Sequence, residues 1–113
     1  MKSIPAAEPT LCDATAWDLD RLEGKADRAA RLLDALGHTK RLMALCRLMD
    51  QEMSVGALAE AVGLTQSALS QHLGRLRDLG IVATRRESQT IYYRLASDEV
   101  RRLIAVLYDI YCR

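Results

Sequence analysis

Between residues 54 and 80 two short apolar-periodic runs are separated only by Gly63-Leu64-Thr65, and this spacing constrains the chain more than any other feature. Ser54 stands where a helix N-cap is expected, and Val55, Leu58, Ala59 and Val62 recur on one side of the helix that follows. Gly63 closes it, Thr65 caps the next helix, and that second helix runs to about Leu79 before Gly80 stops it. Two short helices joined by a tight glycine-containing turn form a helix-turn-helix. After Gly80 the period changes. Ile81-Val82-Ala83-Thr84 and Ile91-Tyr92-Tyr93-Arg94-Leu95 read as strands on either side of the polar stretch Arg85 to Thr90. That stretch has neither Asn-Gly nor Asp-Gly, so a longer, mobile loop is expected in preference to a two-residue turn. A hairpin directly after the second helix is a wing.

The remaining chain supplies helices around this unit. Residues 1–15 hold both prolines and no periodicity, and read as a disordered arm; residues 16–113 form one domain. From about Asp18 to Leu36 a single helix is expected, with Leu19, Leu22, Ala26, Ala29, Leu33 and Leu36 at helical spacing and Gly37 at its end. A second helix is expected from Thr39, its N-cap, to Met49, with Leu42, Leu45, Cys46 and Met49 on one side. Ser97, followed by Asp98 and Glu99, opens a last helix that turns Val100, Leu103, Ile104, Leu107, Tyr108 and Tyr111 inward. The fold class is mainly α with a β-hairpin wing, a winged helix-turn-helix. No run approaches the ~20 apolar residues of a membrane span. Met1 to Thr10 lacks the layout of a signal peptide, so a cytoplasmic protein with reduced cysteines is expected.

On a wheel at about 100° per residue, Leu69, Leu73, Leu76 and Leu79 anchor the second helix of the motif, while Ser67, Gln71, Gly74 and Asp78 lie opposite. Gln66, Ser70 and Arg75 flank them. Small polar residues suit a helix that must lie against base edges, and a glutamine can read adenine with two hydrogen bonds. A solvated face is the competing explanation. Gly74 costs ~1 kcal/mol relative to alanine in mid-helix, which makes sense where something approaches the backbone closely. Arg75 and Arg77 are expected on phosphates, and Arg85, Arg86 and Gln89 of the wing on phosphate or in the minor groove. His72 lies at the edge of the apolar side, open both to packing and to base contact. Residues 65–94 carry Arg75, Arg77, Arg85, Arg86 and Arg94 against Asp78 and Glu87, so positive charge gathers where nucleic acid would sit.

The runs LGHTKRLMALCRLM and SVGALAEAVGLTQSALSQHLGRLRDLGIVATRRESQTIYYRL resemble the ArsR/SmtB family of bacterial winged-helix repressors over about residues 30–96. The resemblance implies a homodimer on palindromic double-stranded operator DNA, joined through the first and last helices. Leu22, Ala29, Leu33, Ile104, Leu107, Tyr108 and Tyr111 are the interface candidates. The last helix supports this by itself, being too apolar for a C-terminal helix that packs alone. The family's usual metal sites are absent: Ser54 and Gly56 stand where the arsenic-type cysteines would be, and the last helix has no histidine. No catalytic residue, metal site or cofactor is expected.

Cys46 admits two readings, a buried small hydrophobe or a reactive thiol. The LCRLM context of Cys46 and the YDIYCR ending around Cys112 look like the persulfide-responsive BigR/SqrR-like subgroup. That likeness implies that reactive sulfur species bridge the two cysteines with extra sulfur atoms and release the DNA, with Cys12 an accessory thiol and sulfide-detoxification genes as targets. A metal-responsive repressor and a general peroxide or disulfide sensor are the alternatives. A thiol-redox enzyme is disfavoured by the lack of CxxC, of a phosphate loop and of a paired acid/base motif.

Overall fold

The structure is a computed structural model that describes residues 18–113, so the arm expected over 1–15 and its Cys12 lie outside the described residues. The chain divides into two compact units, residues 1–31 and 32–113.

In the first unit, Asp18 caps helix α1 (Leu19–Glu23) by accepting a hydrogen bond from the Arg21 N–H at 3.2 Å. Helix α2 (Ala26–Leu36) begins there and ends in the second unit. The single helix expected from Asp18 to Leu36 is therefore broken in two. Gly24, among the weakest helix formers, closes α1, and the Lys25 N–H bonds the Leu22 carbonyl at 2.9 Å in a tight turn. Leu19 and Leu22 are exposed.

The second unit holds the core. Its elements are α3 (Thr39–Arg47), β1 (Met53–Ser54), α4 (Val55–Val62), α5 (Gln66–Asp78), β2 (Val82–Glu87), β3 (Thr90–Leu95) and α6 (Asp98–Cys112). The cap of α3 is His38, one residue before the expected Thr39, and it makes no side-chain capping bond. The other caps fall where the sequence places them. The side-chain oxygens of Ser54, Thr65 and Ser97 each accept the N–H three residues on, all at 3.1 Å. Gly63 takes φ 79° at the end of α4, a left-handed conformation that glycine enters at little cost, and so turns the chain into α5. Lys40 Nζ reaches across from α3 to the Val62 carbonyl at 2.7 Å and satisfies that helix end.

Leu45, Leu48, Leu58, Leu69, Leu73, Leu76, Ile81 and Val100 are the largest fully buried side chains, drawn from α3, α4, α5, the turn into β2, and α6. Truncating one of these leucines to alanine costs about 2–5 kcal/mol. Leu79, expected on the buried side of α5, is instead exposed at the helix C-cap, where the chain is already leaving the core.

The wing differs from expectation in two ways. Its strands run to Glu87 and start again at Thr90, which pair with each other, so only Ser88 and Gln89 form the turn. Ser88 adopts φ 57°, and its carbonyl accepts a bond from Arg86 Nε at 3.2 Å. A serine thus fills a position that usually signals itself by Asn or Gly, at roughly 1–2 kcal/mol. The second difference is β1, which pairs antiparallel with β3 through Met53 and Ser54, giving the order β1-β3-β2. No described helix is long and apolar enough to cross a membrane.

Candidate nucleic-acid interface and thiol pair

Helix α5 is held by Leu69, Leu73 and Leu76, all buried, and this fixes which face it turns outward. Gln66, Ser67, Ser70, Gln71, Arg75, Arg77 and Asp78 are exposed. A Cβ on Gly74 would meet nothing within 4 Å among the described residues, so none of them requires glycine there. Gln66 lies over the start of α4, its Nε2 only 3.2 Å from where a Cβ on Gly56 would stand.

His72 is a packed residue. Arg41 Nε donates to its Nδ1 at 3.2 Å, and its ring lies 4.6 Å from that of His38. Burial first, then the neighbouring His38 and Arg41 charges, lowers its pKa below the ordinary histidine value. A neutral ring accepting at Nδ1 carries its proton on Nε2.

The arginines differ in availability. Arg75 pairs with Asp34 at 3.2 Å, both side chains largely in solvent. Arg86 is tied to the turn through the Ser88 carbonyl. Arg85 is engaged on every nitrogen: Nε bonds Glu52 at 2.9 and 3.0 Å, Nη2 lies 2.8 Å from Glu52, and Nη1 reaches Glu87 at 3.0 Å. Its guanidinium carbon also sits 4.5 Å from the centre of the Tyr92 ring. The Glu52 and Glu87 carboxylates raise the Arg85 pKa further. The hydrogen bond from Arg85, with the charges of Arg85 and Arg94, holds the Glu52 carboxyl below its usual range. Glu52 escaped the sequence reading because it precedes Arg85 by 33 positions and belongs to no motif.

Both cysteines of the described chain are free and exposed, which corrects the reading of Cys46 as a buried hydrophobe. The helix turns Leu45 inward and leaves Cys46 at the rim. Partial burial, and then the charge of Cys112, pushes the Cys46 thiol above its ordinary value. The ends of α3 and α6 therefore bring these two cysteines close enough for one to feel the other. Arg101 of α6 also donates to the Met49 carbonyl just past α3. Among the described residues, no group of three or more His, Cys, Asp or Glu could hold a metal ion.

Of the apolar residues expected at an interface, Ile104 is buried in the protomer and Leu107 half-buried. Tyr108 and Tyr111 do not point inward as expected; they are 58% and 80% exposed, beside the exposed Val106 and Ile110. The two buried side chains of this 15-residue helix, Val100 and Ile104, lie in its first half, and Val106, Tyr108, Ile110 and Tyr111 of its second half are exposed. Leu22, Ala29 and Leu33 are also exposed.

Comparison with known proteins gives consistent results. Residues 38–84, from the α3 cap to the middle of β2, match the model of "Bacterial regulatory protein, arsR family". The chain is 46% identical over 96 residues to the transcriptional activator HlyU of Vibrio cholerae, covering 85% of this chain and 89% of that protein. A structure of reduced HlyU superposes with TM-score 0.78 at 46% identity, covering 83% of this chain and 99% of the other. The transcriptional repressor BigR of Xylella fastidiosa superposes with TM-score 0.79 at 42% identity, covering 86% of this chain and 99% of that one. A homodimeric winged helix-turn-helix DNA-binding domain from Mycobacterium bovis, a possible ArsR-family transcriptional regulator, gives TM-score 0.71 at 35% identity, with 86% and 88% covered.

Proposed function

Because the chain belongs to the ArsR family of bacterial regulatory proteins, we propose that it is a homodimeric, thiol-switched repressor of transcription. In the cytoplasm its reduced form binds a palindromic operator and leaves it when a persulfide bridges Cys46 and Cys112. The observation that carries the switch is the exposure of both thiols, one near the end of α3 and one at the end of α6, with the charge of Cys112 felt at Cys46. Support for the DNA half is the outward polar face of α5, with Gln66, Ser67, Ser70, Gln71, Arg75 and Arg77 exposed beside a wing that carries Arg85, Arg86 and Gln89. His72 contributes by packing α5 on α3. The dimer rests on the exposed apolar end of α6, since two half-sites need two copies of α5 at fixed spacing.

The chemistry balances without an outside oxidant. The Cys46 thiolate attacks the outer sulfur of a persulfide RS–SH, forming a perthiol on Cys46 and releasing the thiol RSH. Cys112 reacts in the same way. The two perthiols condense with loss of hydrogen sulfide and leave one extra sulfur between the cysteine sulfurs. One sulfane sulfur takes the two electrons that the cysteine sulfurs give up and leaves as hydrogen sulfide; the other stays in the bridge. The bridge ties α3 to α6, and so acts on the helix proposed to set the spacing of the two recognition helices.

A direct test is intact mass and operator binding after treatment with a persulfide donor, hydrogen peroxide or glutathione disulfide. The donor should add one sulfur atom net, lose two hydrogens per protomer, and weaken binding. An undiminished response in the Cys46→Ser, Cys112→Ser double variant overturns the switch. Release by peroxide but not by persulfide selects the general oxidant sensor instead.

A further inference from the structure

The geometry around Arg85 points to a role for Glu52, an acidic residue outside the helix-turn-helix. We propose that Glu52 is an affinity-limiting residue: its carboxylate occupies the Arg85 guanidinium edge that a DNA phosphate would take, and so holds down the affinity for arbitrary DNA. The proposal rests on the DNA-binding reading above.

Arginine grips a phosphate through two parallel N–H donors on one edge, the same arrangement it offers a carboxylate. Here the Nε and Nη2 edge is closed by Glu52 at 2.8–3.0 Å, and Nη1 by Glu87 at 3.0 Å. The strand register places Arg85 opposite Tyr92 and Arg94 opposite Ala83, so both arginines share one sheet face with the Tyr92 ring. Glu52 lies beside this face and feels both arginine charges. On this face the phosphate-binding edge of Arg85 is thus occupied from within the protein.

The cluster is also open enough to exchange. The Arg85 side chain is 48% exposed and that of Glu52 30%. An ion pair this exposed contributes little to holding a fold together. It nonetheless matters to a polyanion, because any phosphate near Arg85 must first displace a carboxylate. The cost falls on every duplex whose phosphate reaches Arg85, so the sequence-independent part of the affinity is held down.

The experiment measures binding of the full-length reduced protein to a random-sequence duplex by fluorescence anisotropy, at salt concentrations of about 50 to 200 mM. Glu52→Gln should bind this duplex about two- to fivefold more tightly. Its plot of log affinity against log salt should steepen by about one released counterion. In an Arg85→Gln background the same substitution should give no gain. A loose wing would weaken binding and leave the slope alone, so unchanged or weaker binding by Glu52→Gln overturns the proposal. A gain that survives Arg85→Gln overturns it too, since the effect is then general charge. Should Glu52→Gln fail to fold, Glu87→Gln decides by the same criteria, with a smaller gain expected. Wild-type protein that binds no duplex in a salt-dependent way refutes the DNA-binding reading itself, a different outcome from wild-type binding without a gain in the variant.

Discussion

Replacing Gly74 by alanine separates what the fold needs from what DNA binding needs. Among the described residues the added methyl group meets nothing within 4 Å, so it introduces no clash with them. Alanine is a better helix former than glycine by about 1 kcal/mol, largely because it restricts the unfolded chain. Gly74 lies in the interior of the 13-residue α5 and receives that gain in full. For a domain of this size the gain corresponds to roughly 4–8 °C in Tm. On DNA the sign reverses. Gly74 lies between the exposed Gln71 and Asp78 on this face, and in the proposed complex a methyl there would hold the helix off the groove floor. Overpacking of a close interface costs about 1–3 kcal/mol, or roughly 5- to 150-fold in Kd. The assays are thermal unfolding at one fixed protein concentration and anisotropy titration of a duplex recovered by selection from random sequence. A higher Tm with unchanged Kd refutes the docking of this face against DNA. A lower Tm shows that the space above Gly74 is occupied in solution by something other than DNA, and refutes the premise.

Three further predictions address other parts of the molecule. The depressed His72 pKa means that the fold prefers the neutral ring; its contribution is present above the unfolded value, about 6.5, and is lost as pH falls through the lower folded value. Urea midpoints between pH 7.5 and 5 should therefore fall less in His72→Gln than in wild type, and equal falls would contradict the Arg41–His72 packing. Ile110→Glu, on the exposed end of α6, should convert the proposed homodimer to a monomer in sedimentation equilibrium while the monomer keeps its helical circular dichroism; an unchanged dimer removes α6 from the interface. Because burial and Cys112 raise the Cys46 pKa, the rate at which Cys46 is labelled by a persulfide donor should climb with pH beyond neutrality, and a rate flat from pH 6 to 9 would show a thiolate already formed.

The parts of this chain that could be read from sequence are those in which cause and effect lie within a few residues. Ser54, Thr65 and Ser97 cap helices because a hydroxyl reaches an N–H three positions on, and that relation is written in the local sequence. Gly63 likewise announces the turn between α4 and α5. Errors appear where a distant partner or a balance of faces decides. The turn at Ser88-Gln89 is held short by the pairing of Glu87 with Thr90, which outweighs the discomfort of a serine at positive φ. Strand β1 is two residues long and exists because β3 offers it an edge. Cys46 sits next to the buried Leu45 on α3, and a step of about 100° is enough to move it from core to rim; periodicity alone does not resolve that step.

The same distinction bears on how this chain would bind DNA. The residues that make up the outward face of α5 are close in sequence and share a helix, so their grouping was visible from spacing. What governs the wing is a carboxylate brought in from the loop before β1, and only the closed sheet puts Glu52 against Arg85. Counting arginines between residues 65 and 94 therefore overstates the charge that the wing presents to a phosphate. Arg85 carries two carboxylates and Arg75 one, and each must be displaced before a phosphate can take its place. Net charge summed along a segment measures attraction at a distance, screened over about 10 Å at 0.1 M salt. Contact affinity depends instead on which guanidinium edges remain open, and that is a property of the folded wing.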